Sequence, residues 1–129
     1  MSILVTKLHY HQKTKILDVY FENTSNESTL SHFSAEFLRT HSPSAEVQGH
    51  GAEEMKLVAN KKQVKINQIE AVGHYAVKLI FDDGHDSGIY SWQYFELLQQ
   101  NYDTLWQKYL NRLTKQNASR DQIIPIKIQ

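Results

Sequence analysis

His50 and His85 each stand beside glycine, in Gly49-His50-Gly51 and in Asp82-Asp83-Gly84-His85-Asp86-Ser87-Gly88. Glycine next to an imidazole lets a tight turn present a titratable, metal-competent nitrogen, because glycine takes backbone angles that bulkier residues resist. His9 and His11 would share one face of a strand, with Tyr10 on the other. An exposed polar face is the simpler account of that pair, and a metal site is the alternative. His41 precedes Ser42-Pro43 and can approach the loop that carries His50, whereas His32 and His74 read as turn or surface residues. Nucleophilic chemistry is poorly served. Ser87 or Ser91 would need His85 with Asp83 or Asp86 as a triad, but adjacency along the chain does not orient one, and no Gly-x-Ser-x-Gly elbow occurs. A Gly-x-x-x-x-Gly-Lys-Ser/Thr phosphate loop is also missing.

The elements that must position these residues are bounded by composition. At 129 residues and 40% hydrophobic, the chain suits one domain that buries its own core. Its 14 basic and 14 acidic residues balance, without long runs of like charge, so the electrostatic footprint of nucleic-acid binding is missing. With no cysteine, disulfides, thiolate zinc sites, cysteine nucleophiles and direct cysteine ligation of an iron-sulfur cluster are excluded within the chain. The opening Met1-Ser2-Ile3-Leu4-Val5-Thr6-Lys7 carries neither a leader pattern nor a spanning apolar run, so a soluble, cytoplasmic protein without membrane contact is expected.

Leu8 to Phe21 reads as a hairpin: Leu8 and Tyr10 share a face, Leu17, Val19 and Phe21 follow, and polar Gln12-Lys13-Thr14 makes the turn. Asn23 to Thr29 reads as a polar turn. Ser34 is a candidate N-cap for a short helix through Arg39. Ser42 to Glu54, with a proline and two glycines, reads as an ordered surface loop without regular structure. Val64 and Ile66, then Val77, Leu79 and Phe81, form a second strand group that turns near Gly73-His74. Asp83-Gly84 signals a hairpin tip from which Gly88-Ile89-Tyr90 returns antiparallel. After Ser91, another N-cap candidate, Phe95, Leu98, Tyr102, Leu105, Trp106, Tyr109 and Leu113 recur at the helix period, and Asn101 or Asp103 can restart the helix on a new axis. Tyr90, Trp92, Tyr94 and Phe95 read first as core aromatics, with a recognition patch as the alternative. Residues 116–129 read as a tail, either docked at an edge or loose.

Leu38-Arg39, the Ser42-to-Val47 loop with Gly49-His50-Gly51, Gly73 with Tyr75-Ala76-Val77, and Asp83-to-Trp92 occur in an order that resembles the gamma-butyrobetaine hydroxylase-like N-terminal domain family. The resemblance runs from about Leu8 to Leu98. It implies a small β-rich domain, largely of unknown function, that stands alone in bacteria, precedes the catalytic domain of carnitine-pathway hydroxylases, and is joined to P-loop iron-sulfur carriers in plants. In the hydroxylases the loop supplies three cysteines which, with a histidine of the later turn, hold a structural zinc. The resemblance aligns those cysteines with Ser42, Ser44 and Val47, and the histidine with His85. Serine is not a usual zinc ligand and valine cannot be one, so that site does not carry over. The proximity does, and implies that the 42–51 loop and the His85 turn lie side by side.

Two readings of that junction follow. His50 and His85 with Glu46 or Asp86 would make a ligand set suited to zinc, iron or nickel with open positions. Alternatively, the histidines make hydrogen bonds that lock loop to hairpin in place of the lost zinc. The second is preferred, because a metal needs at least three converging ligands and only two have support. The chain is therefore expected to be a single α+β domain, with an antiparallel strand-rich body, a short helix after the first hairpin and a C-terminal helix or helix pair, spanning 1–115 before the tail. Its expected role is a non-catalytic binding or accessory module in iron-sulfur or metal handling, partnered by an iron-sulfur carrier or another protein. The expected binding surface comprises Ser42, Ser44, Gly49, Gly51, Ser87, Tyr90 and Trp92. The alternative is a small metal-dependent enzyme using His50, His85 and a carboxylate around zinc or iron.

Overall fold

The computed structural model describes residues 3–49 and 55–123. Strands β1 (Leu4–His11), β2 (Ile16–Glu22) and β3 (Ser28–Ser34) form one antiparallel sheet in that order. A short helix α1 (Ala35–Thr40) and a single turn α2 (Ala45–Gln48) follow. Strands β4 (Ile66–Val72), β5 (Ala76–Phe81) and β6 (Ile89–Ser91) make a second antiparallel sheet, and helices α3 (Trp92–Gln100) and α4 (Tyr102–Lys115) complete the fold. This is the α+β architecture expected from the pattern, with two three-stranded sheets among the described residues.

The central strand β2 shows why the first sheet forms. Leu17, Val19 and Phe21 are buried on one face, while Asp18 and Tyr20 point to the other, the period of two that a one-sided sheet requires. The polar residues after β1 reverse the chain, with the Lys15 N–H donating to the His11 carbonyl at 2.8 Å. Asn23 closes the next connection: its side-chain oxygen accepts from the backbone N–H groups of Ser25 and Glu27. The expected turn through Thr29 is shorter than read, because β3 starts at Ser28. That strand lies at a sheet edge and buries only Phe33, so it carries no alternation to see.

Ser34 caps α1 by accepting from the Phe37 N–H at 3.0 Å, and Ser91 caps α3 by accepting from the Tyr94 N–H at 3.1 Å. Asn101 separates the two C-terminal helices, its side-chain amide donating to the Leu97 carbonyl at 2.8 Å. Phe33, Phe37, Tyr90, Phe95 and Leu98 join the buried faces of both sheets in one core. Beyond α4 the chain docks: Asn60 and Lys62 N–H groups donate to the carbonyls of Ser119 and Arg120, and Arg120 grips Glu36 with two bonds of 2.8 Å. Among the described residues no helix is long and apolar enough to cross a membrane.

Candidate functional site

The end of α1 delivers the chain to the junction where loop meets turn. His41 follows as its C-cap, stacked on Phe37 at 4.4 Å between ring centres. Ser42 is fully buried, and its hydroxyl shares a 2.8 Å hydrogen bond with Nε2 of His85. The Ser44 N–H donates to the same hydroxyl at 3.3 Å. Gln48 ties the loop back by donating to the Ser42 carbonyl at 2.8 Å, and the Tyr94 hydroxyl donates to the His41 carbonyl at 2.6 Å. Below, buried Tyr90 donates to the Leu38 carbonyl at 2.6 Å. Gly88 makes the close approach possible: a Cβ there would sit 2.5 Å from Ser42 Oγ. The 42–51 loop is not wholly irregular, since α2 forms around buried Val47 and ends at Gly49 with φ of 76°.

The turn is organised by Asp83. It accepts from Arg39 Nε at 2.8 Å, from Lys61 Nζ at 2.6 Å and from the His85 N–H at 3.1 Å. Burial alone would raise its pKa, but the bonds from Lys61, His85 and Arg39 hold it down to about 2. The His85 side chain is only 3% exposed. Burial, then the nearby Arg39 charge, lowers its basicity below the usual imidazole value, against opposing pulls from Glu46, Asp83 and Asp86. With Nε2 committed to Ser42, Nδ1 faces the Glu46 carboxylate at 3.5 Å. Arg39, Glu46, Val47, Lys56, Lys61 and His85 line an open cleft of about 280 Å³.

The junction therefore gathers Ser42, Ser44, Glu46, His85 and, from beneath, Tyr90. Ser42, Ser44 and Tyr90 are buried, so they shape the surface from inside. Asp86 and Ser87 are exposed on the turn. Trp92 lies elsewhere: β6 pairs Ser91 with Ala76, and the indole donates to the His74 carbonyl at 2.9 Å, at the end of β5 away from His85. His50 and Gly51 lie outside the described residues. Sequence reading missed Arg39 and Lys61 as partners of Asp83, since only folding joins positions so far apart.

The zinc implied by the family resemblance does not fit these residues. Ser42 Oγ is bonded to His85, Val47 offers only carbon, and Ser44 Oγ is buried with no hydrogen-bond partner among the described residues. Hydrogen bonds hold loop to turn instead.

Two antiparallel sheets, a C-terminal helix pair and a histidine-centred loop junction define a small α+β domain. The chain belongs to the gamma-butyrobetaine hydroxylase-like, N-terminal family, whose match spans residues 8–96. Two proteins with NMR solution structures are similar over nearly all of it. One is 44% identical, with 99% of this chain and 92% of that one covered and a TM-score of 0.78. The other is 38% identical, with 98% and 96% covered and a TM-score of 0.75. A crystal structure of a protein of unknown function in the DUF971 family, from Acidithiobacillus ferrooxidans, is 27% identical, with 74% and 91% covered and a TM-score of 0.57. No curated protein matches the chain.

Proposed function

We propose that this chain is a non-catalytic binding domain, accessory to another protein, working through the surface where the 42–51 loop meets the 83–88 turn. The carrying observation is the cleft in which Arg39, Lys56, Lys61 and His85 converge opposite Glu46, over a buried, hydrogen-bonded floor. Its groups suit recognition better than proton transfer. Asp83 is held ionised by its cations, which makes it a poor base. His85 is buried and bonded to Ser42, so it supports the surface without presenting a free base. Among the described residues the cations Arg39, Lys56 and Lys61 outnumber the carboxylates Glu46 and Asp83 around the cleft, which favours an acidic segment of a partner.

The family resemblance supplies the partner class, an iron-sulfur carrier protein. The test is a titration of the ¹⁵N-labelled chain with such a carrier, cluster-loaded and cluster-free, under reducing and anaerobic conditions. Expected are shift changes centred on the amides of residues 42–49, 56–61 and 83–88, weakening as salt rises. Lys56→Glu should weaken the interaction by roughly tenfold, the scale of one charge contact worth ~1.4 kcal/mol. Unchanged spectra at about millimolar carrier, or changes centred on another surface, would refute this reading.

A further inference from the structure

The outer face of the first sheet holds a second constellation, remote in sequence from the loop junction. Strand register sets His9 opposite Asp18, and Asp18 opposite His32, so one row crosses all three strands. His11 lies two residues along β1 from His9 and therefore on the same face. Its Nε2 is 2.7 Å from Asp18 Oδ2, and His32 Nδ1 is 2.6 Å from Asp18 Oδ1. The His9 and His11 rings lie 4.2 Å apart between centres. One donor atom from each of His9, His11 and Asp18 can be chosen so that all lie within 4.8 Å of one another. We propose that His9, His11 and Asp18 bind a divalent first-row transition ion, zinc being the first candidate, with His32 holding the carboxylate in position.

The argument is chemical and geometric. The Asp18 side chain is only 11% exposed although it points away from the core, because imidazoles cover it. A carboxylate needing charge balance alone is served by lysine or arginine. Imidazoles instead keep a lone pair near neutral pH, which suits zinc, nickel, cobalt or copper. Metal bonds of about 2.0–2.1 Å put neighbouring tetrahedral donors about 3.3 Å apart. Rotation of side chains would have to close the existing spread to that value, and the two histidines have room for it: His9 is exposed and the His11 side chain is 42% exposed. His32 bonds the carboxylate oxygen that His11 leaves free, the supporting role that orients a ligating carboxylate. Two imidazoles and one carboxylate leave coordination positions for water or a small ligand.

The experiment uses tag-free, chelator-stripped full-length protein. Zinc is titrated by calorimetry, cobalt by its visible absorption, and the imidazole ¹⁵N resonances are followed throughout. Expected are one equivalent of ion per chain and coordination shifts at His9 and His11. His9→Ala should abolish saturable binding while keeping the folded amide spectrum, since that ring is exposed. His32→Ala should weaken binding by about 10–100-fold, the usual effect of losing a supporting partner. Absence of stoichiometric uptake overturns the proposal, as does uptake unchanged in a His9→Ala/His11→Ala double variant. Uptake lost on His50→Ala and retained in His9→Ala would likewise overturn it, placing the ion at the loop junction.

Discussion

Ser42 Oγ and His85 Nε2 lie 2.8 Å apart, 43 residues distant along the chain, and their hydrogen bond joins the loop after α1 to the turn after β5. In the hydroxylase pattern the same two positions would both ligate zinc. Here a buried hydroxyl and a buried imidazole satisfy one another, and the loop keeps its place without thiolates. Removing either group should therefore cost stability in metal-free protein. Ser42→Ala leaves one imidazole nitrogen buried without its partner, a loss of ~1–3 kcal/mol. Urea unfolding with and without chelator measures it, and the difference between variant and wild type should be the same in both.

Gly88 gives a sharper test of the same contact. Gly88→Ala places a methyl carbon 2.5 Å from Ser42 Oγ and 3.1 Å from Tyr90 Cε1, so the chain must shift or the Ser42–His85 hydrogen bond must break. In the Ser42→Ala background the obstructing oxygen is gone. The double variant should be more stable than the sum of the single losses by ~1 kcal/mol, the scale expected for groups in contact. Strict additivity would show that Gly88 and Ser42 do not meet.

Two buried imidazoles set the acid limb of stability. Burial lowers His41 first, aided by the Arg112 charge and opposed by the carbonyls of Phe37 and Leu105. It also lowers His85, aided by Arg39 and opposed by Glu46, Asp83 and Asp86. The unfolded chain takes up protons near the ordinary imidazole value of 6.5, before the folded chain does. Stability is thus complete above that value and is lost as pH falls from it through the lower folded values, by at most ~1.4 kcal/mol per pH unit for each group. The carboxylate of Asp83 contributes in a separate window, below 3.8 and down to about 2. Unfolding free energies should rise from about pH 5 to about pH 6.5 and level off toward about pH 8, and His41→Gln should remove part of the rise. A flat profile would show that both imidazoles titrate freely.

Residues beyond α4 should also matter to stability. The Glu36 side chain is 6% exposed and receives both bonds of the Arg120 guanidinium, whose own side chain is 36% exposed. Stripping one partner from a fully buried pair costs ~3–5 kcal/mol. With Arg120 partly in water, ~2–3 kcal/mol is expected for Arg120→Ala, and truncation after Ala118 should cost at least as much. Thermal or urea unfolding of the two variants checks this, and a loss under ~0.5 kcal/mol, ordinary for a surface change, would contradict it.

Local chemistry explains which parts of the fold were legible. The turn at Gln12-Lys13-Thr14, the caps Ser34 and Ser91 and the break at Asn101 each act within a few residues, and each stands where the pattern puts it. The strand β3 was hidden because an edge needs only Phe33 inside, while Leu30 is exposed. The turn α2 was hidden because it is held by one side chain, Val47. At the junction, the Ser42–His85 proximity followed from the resemblance, but Arg39 and Lys61 meet Asp83 only through tertiary folding. Trp92 follows Tyr90 by two residues, yet β6 carries it toward His74, where it packs against the core as a core aromatic would, on the side away from His85. Asp18 joins His9, His11 and His32 through strand register, which depends on where β3 begins.

Amide hydrogen exchange in metal-free protein, comparing wild type with Ser42→Ala, tests the hydrogen-bonded lock most directly. The expected result is protection in the wild type without added metal, and in the variant a parallel rise in exchange for the 44–49 and 83–88 amides of roughly tenfold, corresponding to ~1.4 kcal/mol of local stability. The contradicting result is a change confined to one segment, or wild-type protection that develops only when zinc is supplied.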